Sequence, residues 1–260
     1  MKRRTFLENS AKATLAGLFI SKNWYAPSPL YNDICVNLFS LPKVLEADFA
    51  GGLNMLAKMG YKEIEMYGPY TFSSEKQKAN WKSLEPLVGF SGSGFFGKSL
   101  SETKTILKDT GLKVPSLHTD LDTLSELMGP LSDAANHLGA KYVVLPAIPE
   151  GERKNIDDYK RMAERFNKIG AEAKANGIRF AYHNHGYGLS KMEGMLPLDI
   201  ILQQTDPSLV YLEMDLFWTT AGGADPIELL KANKGRYKLM HVKDMKKKVR
   251  FSGDCGNPKQ

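Results

Sequence analysis

From residue 33 onward, apolar positions fall in short dense runs separated by longer stretches of helical spacing. The runs 33–39, 61–66, 113–117, 142–145, 178–182, 210–214 and 237–241 are rich in Ile, Val, Leu, Phe and Tyr, as buried strands are. The spacing predicts helices over 48–59, 99–110, 124–138, 157–176, 197–204 and 226–233. In the longest of these, Phe166, Ile169 and Ala173 form an apolar stripe. Residues 69–98 show no such stripe, and with Gly92, Gly94 and Gly97 they predict a long irregular loop.

Four predicted helices end in the same way: Met59-Gly60-Tyr61, Thr110-Gly111-Leu112, Leu138-Gly139-Ala140 and Asn176-Gly177-Ile178. A glycine just past the helix, followed at once by a strand, is the expected αβ connection. Its repetition predicts βα units around a parallel sheet. A doubly wound sheet would carry a glycine fingerprint after its first strand, and Asn37-Leu38-Phe39-Ser40 is not one. Seven of the eight units of a (β/α)8 TIM barrel describe the pattern better, with the chain stopping after the seventh strand. A barrel short of one unit leaves two open edges, so poor stability or homo-oligomeric association is expected.

The expected organisation is a leading segment and linker at 1–28 and one barrel domain over 30–260. The leading segment opens Lys2-Arg3-Arg4-Thr5-Phe6-Leu7 and continues into a modestly apolar stretch too short to span a membrane. Paired arginines before Phe-Leu resemble a bacterial twin-arginine export signal, which implies a periplasmic protein with no stable membrane insertion. Of the formal net charge of +6, the first 26 residues hold +4. The remainder makes no basic stripe for nucleic acid, and the cluster at Lys246, Lys247, Lys248 and Arg250 reads as a solvated loop. Two cysteines, Cys35 and Cys255, support neither a disulfide framework nor a thiolate metal site.

The chemistry gathers at the ends of the last three strands. Strand parity puts Glu213 with Asp215, His183 with His185, and His241 with Lys243 on the barrel interior. Interior polar groups must be paired, hydrogen-bonded or metal-bound. Imidazole and carboxylate together suit a divalent metal, and a metal-free network such as Glu213 with Lys243 and Asp215 with His241 is the alternative.

The fragments Gly60-Tyr61-Lys62-Glu63-Ile64-Glu65, Ser116-Leu117-His118, Phe180-Ala181-Tyr182-His183-Asn184-His185 and His241-Val242-Lys243-Asp244 resemble the sugar phosphate isomerase/epimerase family of xylose isomerase-like TIM barrels. The resemblance implies one divalent metal, Mn2+ first, with Zn2+, Co2+, Fe2+ or Mg2+ as other ions. It places metal ligands at His183, Asp215 and His241. The family's fourth ligand, a glutamate that also serves with the first in acid/base chemistry, would lie beyond Gln260.

The expected substrate is a small sugar or glycoside, and the expected reaction is isomerisation or epimerisation by proton abstraction next to a carbonyl. The alternatives are a dehydratase or lyase on a keto-sugar, keto-glycoside or cyclitol, and a carbohydrate-binding barrel without catalysis. His185, Glu213 (raised by burial) and Lys243 are the candidate catalytic groups. Glu65, His118 and Trp218 are the candidate substrate contacts.

Overall fold

The structure is a computed structural model that describes residues 34–245 and Arg250. Seven parallel strands run in sequence order: β1 (Cys35–Asn37), β2 (Glu63–Tyr67), β3 (Ser116–His118), β4 (Tyr142–Leu145), β5 (Arg179–His183), β6 (Val210–Asp215) and β7 (Tyr237–His241). Each pairs with its chain neighbour, and among the described residues β1 and β7 are not paired with each other. This is the expected α/β architecture, seven parallel βα strands in an open barrel. The described residues from Cys35 onward form one compact unit.

The helices are α1 (Pro42–Ala47), α2 (Phe49–Lys58), α3 (Glu75–Val88), α4 (Leu100–Thr110), α5 (Leu121–Glu126), α6 (Met128–Leu138), α7 (Ile156–Ala175), α8 (Pro197–Gln204), α9 (Leu216–Gly222) and α10 (Pro226–Ala232). The glycine stops work as expected: Gly111 and Gly139 sit at φ 70° and 85°, a region costly for any residue with a Cβ. Asn155 caps α7 in a reciprocal capping box with Asp158, and the buried stripe of α7 runs from Ile156 through Phe166 to Ala173. Gly170 lies where α7 touches the chain before β6, and a Cβ there would fall 2.5 Å from the Leu209 carbonyl oxygen.

Two packing layers follow the strand parity. Phe180 and Tyr182 of β5 point to the helices, and both rings lie 5.1 Å from Phe166. The opposite faces place Tyr142, Val144 and Ala181 together inside the barrel, with Tyr211 and Leu239 packed on them. Polar residues occupy this same inward face one or two steps nearer the carboxyl ends.

Two expectations change, and one helix appears that the spacing did not predict. Residues 69–98 are not a continuous loop, because α3 forms there between an N-cap at Ser74 and a left-handed stop at Gly89. Its sequence hid it: α3 contains Pro86 and buries none of its residues. The helix expected over 124–138 is two helices broken at Leu127. Finally, α9 follows β6 without a loop, because the Asp215 side chain caps it by accepting from the Trp218 amide at 3.0 Å. The segment 1–28 and the basic cluster at Lys246, Lys247 and Lys248 lie outside the described residues. No described helix is long and apolar enough to cross a membrane.

Candidate metal centre

Strands β2, β3, β5, β6 and β7 each deliver one or two inward polar side chains to a single buried cluster. Glu213 lies at its middle. Its Oε2 is 2.8 Å from His118 Nε2, 2.7 Å from His183 Nδ1 and 3.5 Å from His241 Nε2. One donor atom from each of His118, His183, Glu213 and His241 falls within 4.8 Å of all the others. That is the compactness of a set able to chelate one divalent ion.

A second carboxylate backs this set from the β2 side. Glu65 Oε2 accepts from Asn37 Nδ2 at 2.7 Å and meets His241 Nε2 at 2.7 Å and His118 Nε2 at 3.2 Å. Its other oxygen accepts from Ser116 Oγ at 2.5 Å. A third, Asp215, backs it from β6: its Oδ2 is 2.5 Å from Lys243 Nζ, 3.4 Å from His183 Nε2 and 4.0 Å from His241 Nδ1. His183 and His241 therefore turn one ring nitrogen toward Glu213 and the other toward Asp215. The histidines the sequence put forward as ligands are central, and they serve two neighbouring carboxylates at once.

Electrostatics follow from this crowding. Burial works to lower His118, but the carboxylates of Glu65 and Glu213 outweigh it and push the imidazole up to about 10. Burial works to raise Glu65, yet His118 and His241 hold it well below the usual carboxylate range. Glu213 was expected to be raised by burial. Burial and the Glu65 charge do push it up, but hydrogen bonds and charge from His118, with the His183 bond, bring it below the ordinary value. Asp215 is likewise lowered: burial opposes, while His183 and Lys243 prevail. His185 goes the other way, held well below the usual imidazole value by burial first and by His183 second.

Above the cluster opens a cavity of about 360 Å³. His118, His183, His185, His241 and Lys243 line it, whereas Glu65, Glu213 and Asp215 lie behind the histidines. Trp218, expected to stack on substrate, is only 7% exposed and is not in the lining. Its ring packs at 5.3 Å on that of His185, so it acts on the cavity through that imidazole. Thr119 and, on α3, Gln77, Asn80, Trp81 and Leu84 are also in the lining. The α3 residues were missed because their helix was. The periodic cue was a spacing of Gln77, Trp81 and Leu84 on one helical face, too polar to stand out as a stripe.

The chain is similar to a sugar phosphate isomerase/epimerase from Parabacteroides distasonis, at 27% identity and TM-score 0.67, over 81% of this chain and 74% of that one. It is 33% identical over 130 residues to an inosose dehydratase from Clostridium perfringens, which takes in 45% of this chain and 43% of the relative. An inosose dehydratase from Mesomycoplasma hyopneumoniae matches at 26% over 182 residues, covering 62% of this chain and 60% of that protein. The chain thus spans under half the length of the first of these curated relatives. Residues 53–255 match the model of the xylose isomerase-like TIM barrel family, and with the strand order and inward histidines in place the chain belongs to that family.

Proposed function

We propose that this protein is a divalent-metal-dependent dehydratase or lyase acting on a keto-sugar or cyclitol. The observation that carries it is the set of four donor atoms within 4.8 Å at the carboxyl ends of β3, β5, β6 and β7, beneath an open cavity. Curated relatives named inosose dehydratase support dehydration over the isomerase or epimerase chemistry first expected. So does the physics of the carboxylates. Glu65 and Glu213 are both bonded to histidines and held below their usual range, which makes them poor bases for a two-carboxylate epimerase.

Three imidazoles and one carboxylate fit a borderline cation such as Mn2+, Fe2+, Co2+ or Zn2+ better than Mg2+, which prefers all-oxygen shells. Mn2+ remains the ion we put forward. His118, His183, Glu213 and His241 would hold it, with Asp215 the alternative carboxylate. When bound there, such an ion would polarise the substrate carbonyl and stabilise the adjacent enediolate.

The chain's own groups supply the proton transfers. His185 is held neutral and faces the cavity, so it takes the proton from the carbon next to the carbonyl. Lys243 also faces the cavity, with its ammonium on Asp215, and donates to the departing hydroxyl. The C–H and C–O bonds break, a C=C bond forms, and water leaves. Glu65 and Asp215 orient the histidines and the lysine.

The test uses purified protein incubated with Mn2+ and then desalted. Near-stoichiometric metal, and enone absorbance growing on addition of a 2-keto-cyclitol, are expected. Hydrogen exchange in D2O at the carbon next to the carbonyl, with no loss of water, would return the reading to an epimerase. Saturable sugar binding with neither exchange nor elimination would make the barrel a binding protein. We carry forward residues 1–28 as a proposed twin-arginine-type signal to the periplasm. Replacing Arg3 and Arg4 with lysine should retain the protein in the cytoplasmic fraction, and unchanged fractionation would remove the proposal.

A further inference from the structure

The cavity runs well past the histidines. Its far wall is the face of α3 that carries Gln77, Asn80, Trp81 and Leu84, at the spacing of one side of a helix. Phe39 and Tyr67 continue that wall from the strand side. The surfaces are held rather than loose. The Trp81 indole donates to the Ser91 carbonyl at 2.7 Å, and its ring lies 5.9 Å from Tyr67 and 5.7 Å from Phe90. Tyr67 in turn donates its hydroxyl to the Gly92 carbonyl at 2.8 Å.

Thr119 also lines the cavity. It is 2% exposed, and among the described residues its Oγ1 has no hydrogen-bond partner. A buried hydroxyl left unpaired is destabilising, so a ligand group that meets it gains by doing so.

A fixed indole flanked by two amides suits a pyranose ring. The C–H face lies on the aromatic, and the hydroxyls reach Gln77 and Asn80. One cavity of about 360 Å³ is lined by both the histidines and this wall, and cavities from about 300 Å³ take ligands of drug size. We propose that the wall is a subsite for a second ring. The substrate is then a keto-sugar glycoside, with its keto ring at the histidines and its second ring, carried on the leaving oxygen, against Trp81.

This rests on the lyase reading above and names its substrate class. A base removes the proton next to the carbonyl, and the electron pair forms C=C toward the neighbouring glycosidic carbon. The C–O bond there breaks, and the leaving oxygen takes a proton to depart as an alcohol. Nothing is oxidised or reduced. The ketone must therefore already be present, supplied by a reaction of the class that oxidises a ring hydroxyl of a glycoside.

Calorimetric titration of the Mn2+-treated full chain with glucose and with cellobiose tests this. The disaccharide should bind at least about ten-fold tighter. That ratio should fall about five-fold or more in Trp81→Ala, and in the same direction in Asn80→Ala, an exposed change that leaves the core alone. A ratio near one in the parent, or one unchanged in both variants, overturns the subsite. Metal content is measured on the same samples. Metal retained with a flat ratio removes the subsite alone, whereas no metal with the preference intact removes the lyase reading and leaves the subsite standing.

Discussion

Glu213→Gln separates the two positions a cation can take in this cluster. The change keeps the side-chain shape and its burial but removes the only carboxylate in the four-donor set. What remains there is three imidazoles and an uncharged amide, and we set the resulting loss of metal affinity at 100-fold or more. Metal present at about 100 times the parent dissociation constant stabilises the parent by roughly 2.7 kcal/mol. For a chain of this size that raises the melting temperature by roughly 5–10 °C. At the same metal concentration the variant sits near its own dissociation constant and gains only about 0.4 kcal/mol, a shift of roughly 1–2 °C.

The assay is a thermal melt of parent and variant with and without Mn2+, set beside Asp215→Asn. In the metal-free state Asp215 spends one oxygen on the Trp218 amide and the other on Lys243, so its loss should leave most of the metal-induced shift in place. A full shift in Glu213→Gln together with none in Asp215→Asn would refute the reasoning. The ion would then sit on the opposite ring nitrogens of His183 and His241, at the aspartate first inferred from the sequence.

Three more outcomes are expected. In metal-free protein, His118 is raised from 6.5 to about 10, so its contribution is complete below pH 6.5 and is lost as pH climbs through 10. The lowered Glu65, Glu213 and Asp215 give the opposite limb, with stability lost only as pH falls below their ordinary values. Urea midpoints should therefore fall from pH 6 to pH 9 by an equivalent of roughly 1–3 kcal/mol, and a flat or rising midpoint contradicts the pairing. His185→Gln should lower kcat roughly 10²- to 10⁴-fold with little change in KM, and abolish hydrogen exchange next to the carbonyl. Exchange at the parent rate would mean another base. Gly170→Ala should cost about 1–3 kcal/mol in chemical denaturation because its Cβ would press on backbone at Leu209, and an unaffected midpoint would show that α7 can shift away.

The fold was legible because its signals are local. Gly111 and Gly139 announce their turns, and the alternation Phe180, Tyr182 against His183, His185 states which face meets α7 and which the barrel. The histidine pair His183 and His241 was legible by the same parity. Other features needed distance. The fall in Glu213 comes from His118, 95 positions away on another strand, and no window along β6 contains that partner. The role of α3 is equally remote: Trp81 is steadied by Tyr67 from β2 and by the chain at Phe90 and Ser91, so its helix forms without an apolar stripe of its own. Trp218 shows the reverse error, a local aromatic cue whose ring is spent on His185.

The charge of the cluster argues for a cation in its own terms. Glu65, Glu213 and Asp215 are all held below their usual range, so near neutral pH three carboxylates share the end of the barrel. Lys243 answers one and the His118 proton another, which leaves one negative charge unanswered in a largely buried site, before His183 and His241 are counted. Bringing a single such charge out of water costs several kcal/mol. A divalent ion that displaces the His118 proton and takes neutral donors from the three imidazoles brings the balance to zero. Binding by that exchange must release a proton, and more readily so as pH rises. Titrating metal into weakly buffered protein at pH 7.5 should therefore acidify the solution by close to one equivalent per site. Metal uptake without acidification would mean that the ion enters beside the His118 proton and not in its place.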